Sequence, residues 1–166
     1  MKALTVWQPW ASLIAIKAKP FEFRGWLPPP AIVGQRIAIH AGARPVRGSE
    51  VRALLLALKG DARMTNPCLN AEIAIPALEQ ILASLSKSPD TLFGTASERS
   101  IPLSHVVCTA VVGRPRRGDD IAGEFGAGND SDRDGTFNWG WPMLDVQPLE
   151  PPIPAKGAQG LWECRL

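Results

Sequence analysis

From Trp7 to Arg24 a short apolar helix runs directly into a strand that carries a cation, a carboxylate and a second cation. Pro9 suits a first helical position, where its missing N–H would be unpaired anyway. Trp10, Leu13 and Ile14 then follow at helical spacing. The helix has to stop before Pro20, because proline drives the preceding residue, Lys19, into an extended conformation. Phe21 to Trp26 reads as a strand whose side chains alternate faces, Phe21 and Phe23 on one side, Glu22 and Arg24 on the other. Three ionisable groups crowded into one helix-to-strand turn point to a site for a polar ligand.

The remaining elements are short and punctuated by proline and glycine. Leu4 to Trp7 is an expected first strand, and Gly34-Gln35-Arg36 opens another over Ile37 to Ala41, with His40 on the face away from Ile37 and Ile39. Ser49 is an expected cap for a helix whose stripe is Val51, Leu54, Leu55 and Leu58. A second stripe, Leu78, Ile81, Leu82 and Leu85, predicts a helix starting near Pro76, and Ser104 to Val112 reads as a buried strand. Asp119 to Gly135 is polar and glycine-rich, hence an expected loop. Two further strands, Trp139 to Val146 and Leu161 to Leu166, are expected on either side of the proline-rich Pro148 to Pro154. The pattern predicts an α+β fold, a small mixed β-barrel of about five or six strands with about three helices. We read residues 1–166 as one domain with a helical insertion at 47–100.

Composition narrows the partners. A net charge of +2 is too small to imply polyanion binding, so any nucleic-acid argument rests on local clusters. No apolar run approaches the roughly 20 residues of a membrane span, and no signal peptide is recognisable. Cys68, Cys108 and Cys164 are odd in number and widely spaced, with no C-x-x-C pair. They read as buried thiols of a cytoplasmic protein rather than zinc ligands or disulfides. Asp130 to Gly135 begins like a calcium loop, but its twelfth position is Trp141 instead of a bidentate Glu. We expect neither a metal nor a cofactor.

With those residues in view, the chain resembles an ASCH domain of the PUA-like superfamily, small β-barrels associated with RNA. The family hallmark G-x-K-x-x-E-x-R is matched by Lys19, Glu22 and Arg24, with Lys17 where the glycine would be. Gln8-Pro9-Trp10-Ala11, Gly34 to Ala41, Trp139 to Leu144 and Pro154 to Trp162 are also similar to the family pattern, whereas 47–100 matches nothing recognisable. The resemblance implies binding of single-stranded RNA or a modified nucleoside in a pocket formed by Lys19, Glu22 and Arg24. It also implies an alternative, a metal-independent hydrolase on the same site, either a ribonuclease or an amidohydrolase of N4-acetylcytidine. In an enzyme Lys19 would act as base or orient water, Arg24 would stabilise oxyanion charge, and His40 would shuttle protons. The compact hydrolases have a threonine where this chain has Glu22 and use a further carboxylate. Asp119, Asp120 and Glu124 are its candidates by position. Trp10, Trp26 and Trp141 are candidates for base stacking and Arg36 for phosphate contact, with further arginines at 44, 47, 114, 116 and 117. A third reading makes 47–100 a surface for a protein partner.

Overall fold

The computed structural model describes residues 1–61, 64–86, 101–126 and 138–166. Seven strands form one curled sheet, with β1 (Lys2–Val6), β2 (Phe21–Arg24), β3 (Arg36–Ala41), β4 (His105–Val112), β5 (Arg116–Arg117), β6 (Trp139–Pro154) and β7 (Leu161–Glu163). Their order is β2-β6-β4-β3-β1-β7, with β5 paired to β6. The sheet is therefore a half-barrel with β2 and β7 at its two ends. β1 and β3 run parallel, Thr5 opposite His40, and the other pairings are antiparallel.

Helix α1 (Trp10–Ala15) positions everything around it. Ala11, Ile14 and Ala15 pack into the sheet core with Ile37, Ile39, Val107 and Trp141. Leu13 and Ala18 instead join a second core with Val51, Leu55, Leu69 and Leu78, from α2 (Gly48–Leu58), α3 (Ala71–Ser86) and the segment joining them. The apolar stripes of α2 and α3 thus hold these two helices against the back of α1. Lys17 closes α1 with φ of 64°, and its N–H donates to the Ile14 carbonyl at 2.8 Å. That left-handed position is where glycine is favoured, so the backbone turn survives the replacement at some conformational cost.

The described residues hold seven strands and four α-helices, in keeping with the expected mixed α+β fold. Several local expectations are corrected. Arg47, not Ser49, precedes α2, and the Glu50 carboxylate accepts the Arg47 N–H at 3.2 Å. Helix α3 begins at Ala71, not near Pro76; Asn70 accepts the Glu72 N–H at 3.2 Å, so the cap lies upstream of the proline. Gly118–Glu124 is helix α4, not loop, while 127–137 lies outside the described residues, including most of the calcium-like run. Strand β6 continues through Pro148 to Pro154, where it pairs with β4 alone; a strand with one free side tolerates proline. Among the described residues no helix is long and apolar enough to cross a membrane.

Candidate ligand pocket

A cavity of about 400 Å³ opens where β1, α1 and β2 meet. This lies within the range of small-molecule sites, roughly 300–1,000 Å³. Lys19, Glu22 and Arg24 line it together, as expected from the alternation along β2. Lys19 is 5% and Glu22 6% exposed, so these are buried ions rather than a surface set. Glu22 is clamped from both sides. Its Oε2 lies 3.1 Å from Lys19 Nζ and its Oε1 2.9 Å from Arg24 Nη2. Lys19 also donates to the Phe21 carbonyl, and its ammonium lies 5.1 Å from the Phe23 ring centre and 5.5 Å from that of Trp10. The lysine is thereby enclosed by a carboxylate, a carbonyl and two aromatic rings.

Arg24 is placed differently. Its Nη2 donates to the Thr5 carbonyl at 2.7 Å, while its Nε is buried with no hydrogen-bond partner among the described residues. With two cations to one carboxylate, the cluster carries a net positive charge. A buried donor without an acceptor is uncommon in a folded protein and marks this side chain as a place to look for a role.

The walls are largely aromatic. Trp10 lines the cavity, and so do Trp7, which sequence reasoning had not assigned to it, and Phe23, which strand alternation had placed on the face away from Glu22 and Arg24. Trp7 is 59% exposed, with the Arg44 guanidinium 4.6 Å from its ring centre. Trp26 is exposed but does not line the cavity. Trp141 needs correction as a stacking residue. It is fully buried, its ring packs edge-on against Trp26 at 4.6 Å, and its Nε1 donates to the Trp26 carbonyl at 3.2 Å. Arg36 is also elsewhere, paired with Asp145 and donating to Thr109 Oγ1 at 3.0 Å.

His40 stands behind the pocket rather than in its lining. Its Nε2 donates to the Ala155 carbonyl at 3.0 Å, since a carbonyl can only accept. Its Nδ1 is 3.3 Å from Thr5 Oγ1, a hydroxyl that donates to the Ala158 carbonyl at 2.7 Å and accepts from Trp162 Nε1 at 3.0 Å. A Cβ at Gly157 would overlap the His40 ring, so that glycine permits the close approach. Burial holds the imidazole below its ordinary pKa, with His105 acting the same way and the Ala155 hydrogen bond opposing. Thr5 itself lines the cavity, so it links the imidazole to the pocket wall.

The rest of the lining comes from Asn66, Pro67 and Cys68, between α2 and α3. The pattern of 47–100 contained no signal for this beyond an Asn-Pro turn pair. The candidate second carboxylates are not part of the lining. Asp119 pairs with Arg117 and Glu124 with Arg116, and Asp120 is exposed. Burial pushes the Cys108 thiol up to about 12, and Cys108 sits within the sheet core, away from chemistry.

No protein-family model matches this chain, and no curated protein matches it in sequence. Among solved structures it is similar to the ASCH protein of Zymomonas mobilis, with a TM-score of 0.51 and 15% identity over 99% of this chain and 87% of that one. At that identity the likeness speaks for the fold. The curled half-barrel sheet with helices packed against it thus has the fold of that ASCH protein.

Proposed function

We propose that this protein binds single-stranded RNA or a modified nucleoside, with the base against Trp7 or Trp10 and a base or phosphate acceptor on Arg24. The buried Arg24 Nε without a partner, inside an aromatic-walled pocket, carries the reading. A buried donor left unmade costs about 1–3 kcal/mol, which an acceptor on the ligand would recover. Aromatic walls supply stacking, and a net positive pocket suits a group rich in acceptor oxygens. Glu22 is the one carboxylate among the described lining residues, and two cations hold it. That arrangement favours recognition over water activation, which needs an available base.

The test is a fluorescence titration of labelled single-stranded RNA and of N4-acetylcytidine, with a parallel time course for product and chelator present. Expected is saturable binding without product, weakened about tenfold or more by Arg24→Met. No binding of either ligand, or equal binding by the variant, would overturn the proposal. Product that depends on Lys19 would make the protein a hydrolase on the same site.

A further inference from the structure

We infer that the Asn66–Cys68 connector sets the size of ligand this pocket admits, limiting it to one nucleoside unit, free or looped out of a strand. The inference rests on the nucleic-acid reading above and narrows it.

The connector is a fixed wall. Asn66 Nδ2 donates to the Phe125 carbonyl beside α4 at 2.7 Å, and Asn66 Oδ1 accepts the Cys68 N–H at 2.9 Å. Pro67 between them has a locked φ. Cys68 then takes φ of 54°, a left-handed turn that sends Leu69 into the core beside Leu13 and Ala18. Immediately afterwards the Asn70 N–H donates to the Ala18 carbonyl at 2.8 Å, one residue before Lys19. The wall is therefore fastened to α4 at one end and to the charged turn at the other. A longer ligand could not push it aside without breaking core packing.

The surface beyond the pocket argues the same way. A strand lying through a site needs a row of cations for successive phosphates. Here Arg36, Arg44, Arg116 and Arg117 are each paired with a carboxylate, as are Lys2 and Lys59. Among the described residues the expected basic line is thus largely neutralised locally. What remains concentrated is the pocket: one guanidinium donor without a partner among the described residues, two indoles, and a volume of about 400 Å³ with Pro67 in its wall.

The experiment compares N4-acetylcytidine and the four ribonucleosides with an unstructured oligoribonucleotide, across a salt series, on the full chain. Expected is that at least one nucleoside binds within about threefold of the oligonucleotide, with a shallow salt dependence for both. Asn66→Ala frees the connector from α4; Cys68→Gly removes the thiol while tolerating the positive φ. Each should weaken the nucleoside about tenfold and the oligonucleotide less, with the denaturation midpoint recorded to confirm folding. An oligonucleotide that binds wild type at least about tenfold tighter, with a steep salt slope, would overturn the size limit, and so would connector variants that shift both ligands equally. Failure of every nucleoside and of the oligonucleotide to bind would overturn the underlying nucleic-acid reading instead.

Discussion

Two sets of ion pairs in this molecule share their chemistry and differ in everything else. Lys19, Glu22 and Arg24 meet in a pocket where the first two are almost wholly removed from solvent. Lys59–Glu79, Lys2–Glu163 and Arg116–Glu124 make similar contacts with side chains roughly half exposed or more. Exposed pairs exchange one solvated state for another and contribute little. A buried cluster has already surrendered its hydration, so each member depends on the others, and removing one leaves uncompensated charge. Distance alone does not separate the two sets; burial does.

The sharpest way to break that comparison is Glu22→Gln. It strands Lys19 and Arg24 together and should destabilise the fold by about 3–5 kcal/mol in chemical denaturation. An effect no larger than that of a surface pair would mean water reaches the cluster freely. Lys19→Met keeps the volume and leaves Glu22 paired with Arg24, so a smaller loss, about 1–3 kcal/mol, is expected by the same assay.

His40 offers a third case, a buried titratable group facing a carbonyl and a hydroxyl rather than a carboxylate. Its folded pKa lies below the ordinary 6.5, so the unfolded chain takes up the proton first. The stability it contributes is complete above 6.5 and is lost as pH falls through the folded value. Thermal melts from about pH 8 to about pH 5 should show a fall that His40→Gln reduces. An identical slope in the variant would assign the fall to other groups.

Lys17 sharpens the comparison from the backbone side. It stands two residues from Lys19 yet is exposed, with no charged partner among the described residues, and its left-handed φ is the relevant property. Lys17→Gly should therefore stabilise the chain by about 0.5–1 kcal/mol, whereas loss of a needed charge would lower the midpoint. The smallest effect is expected from Lys59→Ala, whose melting temperature should match wild type within error. High salt should likewise leave the triad nearly untouched while screening the surface pairs.

The charged trio was legible because strand periodicity is strict: residues 22 and 24 share a face wherever β2 lies. The helical stripes at 51–58 and 78–85 were legible for the same reason. What stayed hidden depended on long-range approach. Nothing local marks Pro67 and Cys68 as pocket residues, since the Asn70–Ala18 bond that brings them there spans two elements. Trp141 reads like Trp7 in composition, yet one is sealed inside the sheet and the other stands in the open. Side-chain type fixes what an indole can do; only packing decides whether it can be reached. The prolines of β6 misled for a related reason, because a strand with one neighbour tolerates residues that a central strand rejects.

The placement of β1 between β3 and β7 also bears on synthesis. Its parallel partner β3 follows soon after it, but its other neighbour, Leu161–Glu163, comes about 155 residues later in the chain. While the ribosome adds the intervening residues, β1 keeps an open edge, and Thr5 lacks the indole N–H of Trp162 and the carbonyl of Ala158. Contacts of such long sequence separation form late and slowly. The pocket therefore matures only after β7 has been made and seals the wall to which Thr5 belongs.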